Sequence, residues 1–103
     1  MTNAIEFDVN LKVSPHSRIS IGASAWAPNI RLLGRFFPGR ILRCERVIAP
    51  GDEGTATLGM LVEDDVVSTI SSGTLMLLCD GPSVTIAEAV VSSDGILNSE
   101  VVS

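Results

Sequence analysis

The sequence predicts an all-β fold, a small six-stranded antiparallel closed barrel formed as a single domain by residues 1–103. Apolar and polar residues alternate along several segments, and glycine or proline turn signals separate these segments at a spacing of roughly 10–15 residues. The core must be aliphatic, because the chain has one Trp, three Phe and no Tyr. A core rich in Val, Ile, Leu and Ala favours strands.

The first predicted strand is the segment AIEFDVNLKV, residues 4–13. Ile5, Phe7, Val9, Leu11 and Val13 share one face, and the polar residues between them share the other. A period of two indicates an antiparallel strand with one wet face.

The later strands follow the same reasoning. Five are predicted: RISIGASAW (18–26), RILRCERVIA (40–49), GTATLGMLVED (54–64), TLMLLCD (74–80) and SVTIAEAVVS (83–92). Residues 27–40 are predicted to be a loop with one helical turn at most, because Gly34 and Pro38 exclude a long helix. Residues 93–103 are expected to add an edge strand or to fray. Leu58, Leu77 and Ile86 are expected inside the barrel.

Charge divides the chain into two halves. Residues 1–46 hold all seven basic and three acidic residues, a net +4, whereas residues 47–103 hold nine acidic residues and no Lys or Arg, a net −9. We expect strands from the two halves to pair and partly neutralise one another.

The phrase APGDEG indicates a tight turn before the fourth strand. Pro50 presets the dihedral of the second turn position, Gly51 accepts a positive φ at the third, and Asp52 can accept hydrogen bonds from nearby amides. These three residues are predicted to be a structural turn.

The order of motifs resembles the C-terminal β-barrel of elongation factor Tu and related translation factors, over residues 5–92. The matching stretches are Pro50–Asp52 (PGD), Gly73–Gly81, Val84–Val91, and FFPGRILRCERV at Pro38 and Arg43. The sequence LLCDG departs from the family, which has an arginine before the last turn. The resemblance implies a stand-alone barrel of a kind that contacts both tRNA and protein partners. No P-loop GxxxxGK[ST] is present, so nucleotide hydrolysis is not implied.

No catalytic, cofactor or metal site is predicted, and the chain is not expected to be an enzyme. His16 stands alone beside a proline, and the acidic triplet Glu63–Asp65 lacks the spacing and glycine of a calcium loop. Residues 71–73 do not form a GxSxG elbow. Cys44 and Cys79 are interpreted first as buried free thiols, with one disulfide as the alternative.

The most concentrated feature is RLLGRFFPGRILRCER, residues 31–46. Its candidate binding residues are Arg31, Arg35, Phe36, Phe37, Arg40 and Arg43. In one interpretation the arginines pair with the acidic half and the phenylalanines lie in the core. In a second, Phe36 or Phe37 anchors a protein partner. In a third, the arginines grip RNA phosphates and Phe36 stacks on a base, although the net charge of −5 disfavours RNA.

The resulting hypothesis is a non-enzymatic protein-interaction module that mimics or competes with the surface of elongation factor Tu; the alternative is a small RNA-binding barrel. Apolar residues are 46% of the chain and charged residues only 18%, which also predicts a homodimer. The start MTNAIEFDVN lacks the basic and apolar regions of a signal peptide, and no apolar run is long enough to span a bilayer. We therefore expect a cytoplasmic protein without membrane contact.

Overall fold

A computed structural model shows a closed six-stranded antiparallel β-barrel and describes residues 2–22, 27–81, 84–92 and, for the backbone alone, 98–102. The all-β prediction is confirmed. The elements are β1 (Thr2–Val13), β2 (Asn29–Leu32), β3 (Arg35–Cys44), β4 (Glu53–Glu63), the short helix α1 (Asp64–Val67), β5 (Leu75–Cys79), β6 (Thr85–Val91) and β7 (Asn98–Val102).

The barrel closes through β1, the longest strand. The strands follow one another in the order β4-β3-β2-β5-β6-β1, and β1 also pairs with β4 from Thr2 to Lys12. The C-terminal half of β1 pairs with β6, and its N-terminal half pairs with β7. Residues 98–102 of the tail thus add a seventh strand, one of the two outcomes that the sequence allowed.

The core is the aliphatic interior that the alternation predicted. All five inward residues predicted for β1 are buried, as are Ala56, Leu58, Met60 and Val62 of β4. Ile86 is buried too, but the expectation for Leu77 was wrong. Met76 and Leu78 point inward on β5, so Leu77 faces outward and is only half-buried.

The prediction of a loop over residues 27–40 was wrong, because this segment forms the β2–β3 hairpin. Leu32 pairs with Arg35, and the two residues between them are Leu33 and Gly34, with φ angles of 55° and 71°. Two consecutive positive φ angles define the two-residue turn whose twist matches that of antiparallel strands. Gly34 is therefore part of the turn and does not interrupt a strand.

Pro38 lies within β3 without costing a sheet hydrogen bond. The N–H of Gly39 donates to the carbonyl of Pro28 on the β2 side. Since successive N–H groups alternate sides along a strand, the nitrogen of Pro38 faces β4. Pairing of β3 with β4 begins only at Gly39, opposite Met60, so the missing donor is not needed.

The predicted strand over residues 18–26 is also wrong where the structure describes it. In residues 18–22 only Ile21 forms a bridge, with two backbone hydrogen bonds of 3.0 and 2.9 Å to Ile48; residues 23–26 lie outside the described chain. The next predicted strand ends early at Cys44, where the thiol donates to the carbonyl of Arg46 at 3.0 Å. The backbone bends at Glu45 and Arg46, so the pairing with β4 ends there.

Strands from the two differently charged halves do pair, at β1–β4, β1–β6, β2–β5 and β3–β4. Neutralisation is only partial. Lys12 of β1 stands between Glu53 of β4 and Glu88 of β6 in the pairing register. The arginines of β2 and β3 instead face neutral residues of their neighbouring strands.

Candidate binding surface

The β2–β3 hairpin separates the two candidate phenylalanines. Phe37 pairs with Ile30 and is buried, at 5% exposure, whereas Phe36 pairs with Arg31 and is 46% exposed on the outer face. The guanidinium carbon of Arg31 lies 6.0 Å from the centroid of the Phe36 ring. Arg35 lies 5.1 Å from the ring of Phe37. Of the two rings, Phe36 is the one that a partner can reach.

Arg40 and Arg43 belong to two rows that cross β3, β4 and β1. Arg40 pairs with Gly59, which pairs in turn with Glu6. In the second row, Arg43 pairs with Thr57, which pairs with Asp8. Each row therefore has an arginine on β3, a small neutral residue on β4 and a carboxylate on β1. Two strand spacings, about 9–10 Å, separate the basic wall from the acidic one.

A groove of about 580 Å³ follows the first row on the outer face. Arg40 and Glu6 lie on opposite sides of it, and the rest of its lining is mostly apolar. The other lining residues are Ala4, Ile5, Pro38, Gly39, Leu42, Gly59, Met60 and Leu61. We call this the β3–β1 groove. Its combination of apolar lining and opposed charges suits an extended peptide segment.

Gly59 shapes the floor of this groove. A Cβ atom at residue 59 would lie 3.0 Å from Cδ1 of Leu42, so a side chain there would press on Leu42 and require it to shift. A glycine inside a strand often marks such a place, where another backbone approaches closely. Leu42 itself reaches over β4 at an irregularity in register between Ile41 and Arg43.

A second depression of about 400 Å³ continues along the next row. Arg43, Glu45, Asp8 and Thr57 contribute to its lining. The hydroxyl of Thr57 donates to Oδ1 of Asp8 at 2.8 Å, which ties β4 to β1 and positions that carboxylate. The two rows thus form one continuous charged outer face.

The four arginines of β2 and β3 form no ion pair within the described part of the chain, so a partner can bind them. Among the described side chains, none of Arg31, Arg35, Arg40 and Arg43 has a carboxylate within 4.0 Å. Arg46 differs, since its Nη1 donates to Oδ2 of Asp52 at 2.7 Å. Pairing of all the arginines with the acidic half, the first interpretation above, is therefore not what the structure shows.

Pro50, Gly51 and Asp52 form the turn that leads into β4. The N–H of Asp52 donates to the carbonyl of Ala49 at 2.9 Å, and Gly51 has the positive φ of 83° that the third position requires. Oδ1 of Asp52 accepts from the N–H of Glu53 at 2.8 Å. This turn lies outside both depressions, so we assign it to the fold.

The hydrogen bond from Arg46 is the main cause that lowers the pKa of Asp52 below its ordinary value, and the N–H of Glu53 adds to it. A lowered pKa contributes stability above the unfolded-state pKa, and that contribution is lost as the pH falls through the folded-state pKa. Replacing Arg46 by Ala should therefore raise the pKa of Asp52 in a carboxyl-carbon NMR titration. Arg40→Ala should leave it unchanged, and an unaltered Asp52 pKa in R46A would refute the pairing.

The remaining candidates for chemistry are two cysteines and one histidine. Cys44 is half-buried and Cys79 is buried, and both are free thiols. His16 is exposed beside the β1 end. In the described part of the chain, no group of three or more His, Cys, Asp and Glu side chains is placed to hold a metal ion. No helix among the described residues is long and apolar enough to cross a bilayer.

Several residues of this surface were not singled out from the sequence. Glu6, Asp8 and Leu61 come to lie on the same surface as Arg40 and Arg43 only because of how β1, β4 and β3 pair. The available signals were the wet face of β1 and the glycine within TLGML. Neither signal identifies the neighbouring strand, which depends on contacts distant in sequence.

Comparison with protein-family models found no match, and comparison with curated proteins found none either. The resemblance to the elongation factor Tu barrel therefore stays a prediction. The structure supports the barrel itself and leaves its kinship as a hypothesis.

Proposed function

We propose that this chain is a non-enzymatic protein-interaction module, and that its partner binds across the outer face of β3. The observation that carries the proposal is the arrangement of Phe36, Pro38 and Arg40. These alternate residues of β3 share the outer face, and the last two line the β3–β1 groove. An exposed aromatic ring beside an apolar groove and an arginine is the usual composition of a binding hot spot.

Charge indicates what the partner presents. Arg40 and Arg43 have no carboxylate partner among the described side chains, so the partner should bring carboxylates to β3. The apolar lining of the groove takes aliphatic side chains, and Phe36 fills a pocket on the partner. The partner segment is thus acidic and apolar in alternation.

The resemblance to the elongation factor Tu barrel supports a more specific form of the proposal. A barrel of that shape can compete with the translation factor for a shared protein partner. This form depends on the resemblance alone, since fold does not determine function.

Affinity capture from native lysate tests the proposal. Phe36→Asp and the double variant Arg40→Glu/Arg43→Glu should each reduce recovery of the partner at least ~10-fold, as loss of a hot spot does. Val47→Asp is the control, because Val47 is 64% exposed and lines neither depression. Equal recovery by wild-type and F36D baits would contradict the proposal. Excess elongation factor Tu should reduce capture only if the competition form is correct.

The unpaired arginines also favour one alternative, an RNA-binding barrel in which Arg31, Arg35, Arg40 and Arg43 contact phosphates and Phe36 stacks on a base. Salt-dependent retention on bulk tRNA, lost in Arg40→Ala/Arg43→Ala, is expected from that alternative. The acidic residues Glu6, Asp8 and Glu45 on the same face make it the weaker of the two.

A further inference from the structure

The outer face of β2, β5 and β6 has opposite charges on the two sides of an apolar strand. Arg31 on β2 pairs with Leu77 on β5, and Leu77 pairs with Glu88 on β6. Arg31 and Glu88 are exposed and Leu77 is half-buried. A guanidinium and a carboxylate therefore flank one leucine, each about 4.8 Å away across the sheet.

Further apolar side chains extend this face toward one end of the barrel. Leu75 is 53% exposed, lies two residues before Leu77 on the same side of β5, and pairs with Val90, which is 37% exposed. Leu33, in the β2–β3 turn two residues beyond Arg31, is 62% exposed. A cluster of large apolar side chains in water marks an interaction surface.

We propose that this face binds a second copy of the same chain, and that the two copies are related by a two-fold axis that runs parallel to β5 and passes above Leu77, between the two chains. Such a rotation keeps β5 opposite β5 and exchanges the two flanks. Leu77 and Leu75 then meet their own counterparts. Arg31 of each copy faces Glu88 of the other, so one ion pair forms twice.

The charges select a second copy as the occupant. A two-fold interface uses the same surface on both chains, so that surface must be complementary to itself. A patch with one sign of charge would repel its own image, whereas Arg31 and Glu88 on either side of Leu77 attract theirs. Among the described side chains, Arg31 has no carboxylate and Glu88 no basic group within 4.0 Å, so both remain available.

The cross-strand row of Arg31, Leu77 and Glu88 ends in two residues that also fit this arrangement. Beyond Arg31 the next cross-strand residue is Phe36, and beyond Glu88 it is Lys12. The rotation brings Lys12 of one copy toward the ring of Phe36 on the other, a cation–π pair. The curvature of the barrel sets these outer groups farther apart, so Leu77 and its flanking charges contribute most. The β3–β1 groove lies on another face, and Phe36 borders both surfaces. The dimer does not depend on the proposed function, because it rests on Leu77, Arg31 and Glu88.

Sedimentation equilibrium from low to high micromolar concentration tests the dimer. The wild type should sediment as a dimer at the upper end, and so should the control Val47→Asp. Arg31→Glu and Glu88→Arg should each weaken association at least ~100-fold, because each places like charges opposite one another twice. Leu77→Asp should have the same effect. Circular dichroism should show that all variants keep the wild-type strand content, since the changed residues face outward.

Mixing the two charge variants provides the decisive measurement. In a mixed pair, Glu at position 31 of one chain faces Arg at position 88 of the other, and the second pair is the original Arg31 and Glu88. An equimolar mixture of R31E and E88R should therefore recover the dimer. A wild type that stays monomeric, single variants that remain dimeric, or folded variants whose mixture stays monomeric would each overturn the proposal.

Discussion

Replacing Phe7 by Ala is expected to lower the free energy of unfolding by about 3–5 kcal/mol. Phe7 is completely buried on β1, opposite Leu58 of β4, and among the residues that the structure describes it is the largest fully buried side chain. Its removal leaves a cavity at the strand that closes the barrel, beside the pairing of β1 with β4. Domains of this size have a total stability of about 5–15 kcal/mol, so the variant should be close to unfolding.

Urea denaturation followed by circular dichroism measures this loss. Phe36→Ala is the matched control, because it removes the same side chain from the outer face and should change the unfolding free energy by about 1 kcal/mol or less. The structure would be contradicted by equal losses for the two variants, since they would then have similar surroundings. A large loss of unfolding free energy for Phe36→Ala alone would mean that Phe36, and not Phe7, lies inside the barrel.

Strands with one wet and one dry face were predictable from the sequence. In β1 the apolar residues alternate with polar ones, and burial follows that alternation without exception from Ile5 to Val13. In β4 the inward residues Ala56, Leu58, Met60 and Val62 are buried at the same spacing of two, although the outward Leu61 is also apolar. The physical reason is local, because successive side chains of any strand point to opposite faces. No knowledge of the neighbouring strands is needed.

The β2–β3 hairpin was missed because Gly34 and Pro38 are compatible both with a loop and with a hairpin, and only the loop was considered. Gly34 and Pro38 exclude a long helix, and on that ground the segment was predicted to be a loop. In the barrel, Gly34 supplies a positive φ to the turn, while Pro38 lies just before Gly39, where the pairing of β3 with β4 begins. Which of the two forms depends on the register with β4, and β4 is some twenty residues away.

The wrong prediction that Leu77 faces the core also came from missing information about strand pairing. The run LMLLC is apolar throughout, so alternation cannot say which residues face the core. The pairing of β5 with β2 and β6 decides it, and Leu77 falls opposite the exposed Arg31 and Glu88. Both the groove and the proposed dimer face depend on such register, which is why the sequence indicated the arginines and Phe36 but not their neighbours.

Leu78→Ala is expected to lower the free energy of unfolding by about 2–5 kcal/mol, the second-largest effect of the substitutions considered. Leu78 is fully buried and pairs with the buried residues Ile30 and Ala87. The cavity would lie at the middle of β5, between two short strand pairings. Leu77→Ala is the control one residue away, and its cost should be about 1 kcal/mol because its side chain is half-exposed.

The two leucine variants are compared in urea at low micromolar concentration, where association adds little to stability. This condition matters because a dimer that buries Leu77 would raise the apparent cost of Leu77→Ala at higher concentration, by mass action. The difference between L78A and L77A should therefore shrink as protein concentration rises. If L77A is the more destabilised at every concentration, the inward and outward faces of β5 must be exchanged, and both the core and the dimer face described for this strand are wrong.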